Sequence, residues 1–277
     1  MYVDAPNQVI DGANGVRYAY RRCGPTGSPP LLLLPHFRGT LDSWDPALVD
    51  ALAAERDVIS FDNAGVGLST GQACRTVRDL AVDTLAFLTA LGLPQADVLG
   101  YSMGGFTAQE LALLRPRTVR RLVLAATAPR GGPGIHGYPD DVLDHVGSER
   151  FGIQDYLYVF FHHTATSQRG GLEYVGRYME RERGRDLPVT AAARAAQYEA
   201  VVEWGVPDHA ALPRLVAIGN PVFVAGGDSD LVVPPATSRL LAGLLPDARL
   251  KTYPDSGHGF LFQHHTEFAR DVLAFLR

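Results

Sequence analysis

The sequence predicts a fold of the α/β class, in which a mostly parallel β-sheet is flanked by helices. Short apolar runs alternate along the chain with segments of helical periodicity, and this alternation is typical of a sheet wound with helices. The chain has 277 residues, of which 46% are hydrophobic. This length is normal for one α/β domain that carries an insertion, and this apolar content is sufficient for a large core.

Short runs of apolar residues predict the strands. An alternating pattern predicts an early antiparallel strand over residues 17–22, and the continuous apolar run at 31–34 predicts a buried parallel strand. The remaining strands are predicted over residues 58–62, 97–101, 121–126, 221–225 and 249–253.

Apolar residues at helical spacing predict the helices of the core. In residues 76–91, Leu80, Phe87 and Leu88 fall on one helical face, and Gly92 is expected to end that helix. The other core helices are predicted over residues 103–114, 236–245 and 267–276.

Residues 129–212 break this alternation and predict an inserted helical cap. The segment begins with the flexible run 130–134 and then becomes rich in aromatic residues, with a helix predicted over residues 190–204. The core domain would then comprise residues 1–128 and 213–277. Most of the cap aromatics are expected to pack against one another.

Composition argues against several classes of partner and site. The net charge is only −5 and no basic stripe is present, which argues against nucleic acid as a partner. The two cysteines, Cys23 and Cys74, are too few for a disulfide framework and are expected to be free thiols in a reducing compartment.

We expect neither a signal peptide nor a membrane-spanning segment. The first residues carry neither a basic start nor an apolar segment typical of a signal peptide, and no apolar run approaches the roughly 18 residues of a membrane span. We therefore expect a cytoplasmic protein with no membrane partner. The sequence leaves open whether it is a monomer or a homo-oligomer.

The pentapeptide Gly-Tyr-Ser-Met-Gly at residues 100–104 is the strongest functional motif. It fits the pattern G-x-S-x-G and lies between a predicted buried strand and a predicted helix, which is the context that this motif requires. The tight turn would expose the hydroxyl of Ser102, and the first amides of the helix would favour developing negative charge. Ser102 is therefore the candidate nucleophile.

A serine hydroxyl is a weak nucleophile at neutral pH, so it needs a base. In the chain order Ser, acid, His, the base comes last, and His258 lies between two glycines just after the last predicted strand. His162 and His163 belong to the cap, where packing or solvent contact explains them.

The base in turn needs a carboxylate that fixes its tautomer. The segment after the predicted strand 221–225 offers Asp228 and Asp230. We favour Asp230, because it precedes a turn that leads into a helix, whereas Asp228 is expected to shape the turn itself. The loop at 127–129 contains no carboxylate, which removes the other common position of the acid.

Acyl transfer also requires an oxyanion hole. One donor is expected to be the backbone N–H of Met103, which follows the nucleophile, and the other the backbone N–H of Phe37 in the loop after an early strand. His36 in the same loop is expected to have a structural role.

Together these residues resemble the α/β-hydrolase superfamily, in its branch of cofactor-free haloperoxidase-like esterases and enol-lactonases. The resemblance rests on the loop at 35–39, the glycine-rich turn at 62–69, the Ser102 turn, the Asp230 turn and the His258 loop, which occur in the family's order. One position departs from the pattern, because Phe37 stands where the loop often has glycine.

The resemblance implies an eight-stranded, mostly parallel sheet with a cap inserted after the sixth strand. It also implies a triad of Ser102, Asp230 and His258 that works with no metal or organic cofactor. Family members that attack an alkyl carbon, the haloalkane dehalogenases and epoxide hydrolases, carry aspartate at the position of Ser102. Ser102 therefore argues against both of these activities.

The sequence predicts a small-molecule ester or lactone as substrate, cleaved through an acyl-enzyme on Ser102. Tyr101, Phe160 and Trp204 are expected to line an apolar pocket. No pair of arginines is placed to clamp an anion, although Arg38 lies next to Phe37 in the loop at 35–39, which we call the oxyanion loop. Two alternatives stay open: a carbon–carbon bond hydrolase or lyase with the same triad, and a ligand-binding protein of this fold.

Overall fold

Eight strands form a single sheet at the centre of the molecule. We describe a computed structural model of the chain over residues 1–27, 29–136, 138–148 and 151–277. In chain order the strands are β1 (Gln8–Asp11), β2 (Arg17–Cys23), β3 (Leu31–Leu34), β4 (Val58–Phe61), β5 (Ala96–Tyr101), β6 (Val119–Ala125), β7 (Val222–Gly227) and β8 (Ala248–Tyr253).

The sheet is mostly parallel and has the strand order β1-β2-β4-β3-β5-β6-β7-β8. The β1–β2 and β2–β4 pairs are antiparallel, and all the other neighbouring pairs are parallel. The neighbouring strands β3 and β5 have connections that lead in opposite directions, from β3 to β4 and from β5 to β6. Ligands of open α/β sheets bind where such a reversal occurs, outside the carboxyl ends of the strands.

The central strand β3 shows why continuous apolar runs form this sheet. All four of its residues are buried. Leu31 and Leu33 pack in the hydrophobic cluster on one face, while Leu32 and Leu34 pack in the cluster on the opposite face. Because alternate side chains of a strand point to opposite faces, a strand that is covered on both faces needs apolar residues at every position.

Helices cover both faces of the sheet and build the segment between β6 and β7. They are α1 (Pro46–Ala53), α2 (Val77–Ala90), α3 (Met103–Leu114), α4 (Asp140–Val146), α5 (Ile153–Phe160), α6 (Ala165–Met179), α7 (Ala191–Gly205), α8 (Pro235–Leu244), α9 (Phe260–Gln263) and α10 (His265–Leu276). Short 3₁₀ helices occur at Tyr2–Asp4, Leu41–Ser43 and His209–Ala217.

Helices α4 to α7 lie in the segment that the sequence predicts as a cap, and they dock on the core through polar as well as apolar contacts. The hydroxyl of Tyr174 in α6 donates to the Ser43 carbonyl at 3.1 Å, and Arg177 forms a two-pronged ion pair with the buried Asp45. These contacts tie α6 to the segment that follows β3. The domain limits at 128/129 and 212/213 stay a prediction.

The predicted fold class is confirmed, and the predicted elements agree with the observed ones to within about two residues at most ends. Thr76 caps α2 by accepting the Asp79 N–H at 3.1 Å, and Gly92 follows the helix with a φ of +68°. Sequence patterns missed β1, α1 and the short α9. No helix in the described ranges is long and apolar enough to cross a membrane, and Cys23 and Cys74 are unpaired, half-buried thiols.

Candidate active site

Ser102 occupies a sharp turn between β5 and α3. Its backbone has φ +55° and ψ −118°, a combination that residues with a Cβ adopt at a cost of order 1–3 kcal/mol. Neighbouring groups hold it there: the Ser102 N–H donates to the Ala125 carbonyl at 2.9 Å, and the Thr127 hydroxyl donates to the Ser102 carbonyl at 2.8 Å. The strained turn is therefore anchored to the end of β6.

The two glycines of the motif are required by close backbone approaches. A Cβ on Gly104 would lie 2.1 Å from the Leu34 carbonyl oxygen, and a Cβ on Gly100 would lie 2.4 Å from the Gly104 carbonyl oxygen. Both obstacles are backbone atoms, which cannot move aside cheaply. The glycines thus allow the first turn of α3 to pack directly against the end of β3 and the loop that follows it.

The structure brings Ser102, His258 and Asp230 into one chain of hydrogen bonds. His258 Nε2 lies 2.9 Å from Ser102 Oγ, and His258 Nδ1 lies 2.8 Å from Asp230 Oδ2. The other oxygen of Asp230 accepts the N–H groups of Val232 and Val233 at 2.8 and 2.9 Å. With Nδ1–H directed to the carboxylate, Nε2 is the imidazole atom that can accept the serine proton.

Aromatic residues hold the His258 loop in place. The hydroxyl of the fully buried Tyr101 donates to the His258 carbonyl at 3.1 Å, and its ring centroid lies 5.3 Å from that of the imidazole. On the cap side, the Phe160 carbonyl accepts the Gly259 N–H at 2.6 Å, and the Phe160 ring packs edge-on to the His258 imidazole. A Cβ on Gly257 would lie 2.9 Å from the Phe160 carbonyl oxygen.

Asp228 stabilises the loop rather than the imidazole. Its carboxylate accepts the Ser229 hydroxyl at 2.8 Å and the N–H groups of Asp255 and Ser256 at 3.1 and 3.3 Å. Partial burial acts to raise the pKa of Asp228, but these hydrogen bonds outweigh it and hold the pKa below its ordinary value. The structure thus brings Asp230 to His258 and leaves Asp228 to connect the two loops.

The two expected oxyanion donors are available. The Phe37 N–H makes no hydrogen bond within the described residues. Met103 is the first residue of α3, where amides have no acceptor inside the helix. The contact between Gly104 and the end of β3 brings the Phe37 loop beside this first turn.

His36 is held as a neutral imidazole close to His258. Its Nδ1 lies 2.7 Å from the Phe37 carbonyl oxygen, which requires a proton on Nδ1. Its ring is buried edge-on against Tyr101 and Phe160, and this burial lowers the pKa of His36 to about 3. His36 therefore shapes the oxyanion loop.

A cavity of about 390 Å³ opens above Ser102 and His258. Aromatic and aliphatic side chains form much of its wall, and charged or hydroxyl-bearing residues form the rest. The lining residues are His36, Phe37, Arg38, Thr40, Asp42, Ser43, Ser102, Tyr138, Val146, Phe151, Tyr156, Val159, Phe160, Tyr178, Arg185, Asp186, Leu187, Pro188, Val189, Val232 and His258. This volume suits a small or medium-sized organic ligand.

Most of the charged groups of the wall have partners within the protein, although Asp186 Oδ1 has none among the described residues. The carboxylate of Asp42 accepts a hydrogen bond from the buried Arg21 at 2.6 Å, and Arg185 lies 3.6 Å from it. Asp42 and Asp186 each accept the other's backbone N–H, at 2.9 and 3.1 Å. Burial and the charge of Asp42 raise the pKa of Asp186. The guanidinium of Arg38 donates to the carbonyls at 146 and 148.

Two predicted pocket residues do not line the cavity. Tyr101 at the end of β5 points into the core beneath His258, and Trp204 stacks on Phe106, with 5.3 Å between ring centroids, while its indole N–H donates to the Ala128 carbonyl. Both are buried by tertiary packing that the sequence pattern does not reveal. Phe160 and Phe37 do line the cavity.

Sequence reasoning missed most of the remaining wall. Tyr156 and Phe160 stand four residues apart on α5, and Phe151 packs against both rings. The spacing of Tyr156 and Phe160 was a usable signal for a shared helical face. Nothing local in the sequence indicates that Asp42 and Asp186 meet, because 144 residues separate them.

Comparison with known proteins identifies the family. A family model described as the alpha/beta hydrolase fold matches residues 29–265. The chain belongs to the α/β-hydrolase fold family. An α/β-hydrolase fold protein from Chitinophaga pinensis, with a solved structure, is 38% identical, with a TM-score of 0.94 over 99% of this chain and 98% of that chain.

Two further relatives lie in the branch that the motifs predict. The Mycobacterium tuberculosis protein BpoC, named for a non-heme bromoperoxidase activity, is 28% identical over 84% of this chain and 88% of its own. The enol-lactonase from Burkholderia xenovorans shares the fold, with 24% identity and a TM-score of 0.75 over 98% of this α/β hydrolase and 99% of that chain. The resemblance is confirmed, and the family supports an enzyme of the hydrolase type.

The buried imidazole of His36 predicts a pH dependence of stability. Its folded pKa of about 3 lies below the ordinary histidine value of about 6.5. Between these values the unfolded chain binds a proton that the folded chain does not, so the free energy of unfolding falls as the pH falls, by up to about 1.4 kcal/mol per pH unit. His36→Asn keeps a side-chain donor but does not titrate, so its stability should fall less steeply between pH 6.5 and 4.

Denaturant unfolding of both proteins at several pH values in this range measures the two slopes. Parallel slopes for the wild type and His36→Asn would show that His36 is not held neutral in the folded state.

Proposed function

We propose that this protein is a serine hydrolase that cleaves carboxylic esters or lactones through an acyl-enzyme on Ser102. The observation that carries the proposal is the continuous chain of hydrogen bonds from Ser102 Oγ through His258 to Asp230, at the wall of the cavity. A hydroxyl, a neutral imidazole and a carboxylate in this order form the arrangement that activates a serine for attack on an acyl carbon.

The first half-reaction acylates the serine. His258 Nε2 takes the proton from Ser102 Oγ as the oxygen attacks the carbonyl carbon of the substrate. Asp230 stabilises the resulting imidazolium, and the N–H groups of Phe37 and Met103 donate to the negative oxygen of the tetrahedral intermediate. As the intermediate collapses, the carbon–oxygen bond to the leaving alcohol breaks, and that alcohol takes the proton from His258.

The second half-reaction releases the acid. His258 removes a proton from a water molecule, whose oxygen attacks the acyl carbon and forms a second tetrahedral intermediate. The N–H groups of Phe37 and Met103 again donate to its negative oxygen. Its collapse breaks the bond to Ser102 Oγ, which takes back the proton from His258. For a lactone, the alcohol and the acid are ends of one product molecule.

The cavity supports a neutral substrate of moderate size. Phe37, Phe151 and Phe160 supply aromatic wall, which binds by contact area and discriminates weakly between similar ligands. The opposite charges of Asp42 and Arg185 offset each other at 3.6 Å, and the guanidinium of Arg38 donates to backbone carbonyls. Asp42, Arg185 and Arg38 are therefore engaged by the protein itself.

Replacement of the nucleophile tests the reaction class. Ser102→Ala should remove nearly all turnover, a loss on the order of 10⁶ in kcat, because triad members act as a unit. A fluorophosphonate probe should label the wild type at Ser102 and leave the variant unlabelled. Turnover is measured with short p-nitrophenyl esters, lactones and 1,3-diketones. Circular dichroism of Ser102→Ala checks that the variant is folded.

Each alternative has its own outcome in this assay. Turnover of diketones but not of esters would indicate a carbon–carbon bond hydrolase, and ligand binding without any turnover would indicate a binding protein. Labelling that persists in Ser102→Ala would overturn the assignment of the nucleophile.

The two carboxylates near His258 should differ sharply in their effect on rate. Asp230→Asn should lower kcat on the order of 10⁴-fold, because an amide favours the wrong imidazole tautomer. Asp228→Asn is the matched control, because this carboxylate lies two residues away and binds Ser229, Asp255 and Ser256 rather than the imidazole. It should lower kcat far less. The reverse ranking of kcat would move the acid of the triad to Asp228.

Matched neutral and anionic esters test the character of the cavity. Because Arg38 and Arg185 are already engaged by the protein, kcat/KM should be higher for the neutral member of each pair. The comparison uses acyl groups of equal size that end in a methyl group or a carboxylate. A clear preference for the anionic series would assign anion binding to one of these arginines.

A further inference from the structure

The loop that carries the Phe37 N–H is held through the peptide that follows it. In the Phe37–Arg38 peptide, the carbonyl oxygen accepts a hydrogen bond from His36 Nδ1 at 2.7 Å, and the N–H donates to Gln197 Oε1 at 2.9 Å. The Gly39 N–H donates to the His36 carbonyl at 2.8 Å. These three bonds hold the His36–Phe37, Phe37–Arg38 and Arg38–Gly39 peptides, and within the described part of the chain the Phe37 N–H has no acceptor.

Arg38 makes this support necessary. Its backbone has a φ of +62°, in the left-handed region that a residue with a Cβ avoids. The loop therefore stores strain, and it would relax toward a more common conformation if the bonds that hold it were removed. Relaxation at Arg38 would rotate its two adjoining peptides, Phe37–Arg38 and Arg38–Gly39. The Gly39 N–H holds the carbonyl of the His36–Phe37 peptide, so this rotation would also displace the Phe37 N–H.

Gln197 is the cap's hydrogen-bonding contact to this backbone. It lies on α7 with no exposed surface, 159 residues away in sequence from Arg38. Its Nε2 has no hydrogen-bond partner among the residues that the structure describes. A buried amide with an unpaired nitrogen is costly, so the bond that its oxygen makes to the loop is what favours glutamine at this position.

We propose that Gln197 is a positioning residue that holds the oxyanion loop in its working conformation, so that docking of the cap completes the oxyanion hole. The proposal rests on the proposed acyl transfer at Ser102. Gln197 does not line the cavity, so it acts through the Phe37–Arg38 peptide. Its loss should weaken stabilisation of the transition state and leave binding of the ground state nearly unchanged.

The test compares two substitutions of similar size at residue 197. Gln197→Met removes the acceptor and should lower kcat about 10- to 100-fold with KM changed less than about twofold, since a displacement of about 1 Å can cost two orders of magnitude. Gln197→Glu keeps an acceptor oxygen for the Arg38 N–H but replaces the unpaired Nε2 with the second oxygen of a buried carboxyl group, so it should lose less kcat than Gln197→Met.

Ser167→Ala is the control for a general weakening of the cap. The Ser167 hydroxyl in α6 donates to Gln263 Oε1 in α9 at 2.6 Å, which is a partly buried contact between cap and core that does not involve the oxyanion loop. This variant should lose stability in thermal unfolding and keep the wild-type kcat. A loss of kcat in Ser167→Ala equal to that in Gln197→Met would show a general effect of cap docking and overturn the proposal.

The rate constant of phosphonylation by a fluorophosphonate gives a second readout that needs no known substrate. Negative charge develops on the phosphoryl oxygen in this reaction, so Gln197→Met should slow labelling by a factor similar to its loss of kcat. Labelling at the wild-type rate would overturn the role of Gln197 while the proposed function stands. A wild-type protein that is never labelled at Ser102 would overturn both.

Discussion

Ser102 stands in a backbone conformation that is costly for a residue with a Cβ, and the surrounding structure holds it there. The Ala125 carbonyl and the Thr127 hydroxyl bind the two sides of its peptide backbone. Gly104 lets α3 begin in contact with the end of β3. The same contact places the loop at 35–39 beside Ser102, so the geometry of both depends on one close approach of backbone to backbone.

The predicted cap contacts two loops of the site and also forms part of the wall of the cavity. The carbonyl of Phe160 accepts the Gly259 N–H in the His258 loop, and Gln197 accepts the Arg38 N–H in the oxyanion loop. Catalytic groups on loops need support from rigid elements, because small displacements are costly in rate. In this molecule part of that support comes from helices of the inserted segment, which links its docking to the chemistry.

The sequence was most informative where function depends on local backbone. The glycines around Ser102 and His258 mark turns that the fold requires, and Ser102, Asp230 and His258 follow β5, β7 and β8 in chain order. Asp230 was preferred over Asp228 from turn chemistry alone, and the structure brings Asp230 to the imidazole. The wall of the cavity could not be predicted in this way.

Side-chain direction at the end of a strand or helix depends on tertiary packing. Tyr101 and Trp204 were expected in the wall as large aromatics close to the site, yet each is turned toward the core by a buried hydrogen-bond acceptor, at His258 and Ala128. The pairing of Asp42 with Asp186 arises only when the cap folds back on the core.

In the proposed reaction the acyl group passes through Ser102. Rapid quenching of the wild-type protein during turnover of a p-nitrophenyl ester, followed by intact-mass and peptide mass spectrometry, tests it directly. We predict a mass increase equal to one acyl group, on the peptide that contains Ser102, formed with a burst of p-nitrophenol. An acyl group found on another residue, or turnover in which the protein is never acylated, would contradict this account.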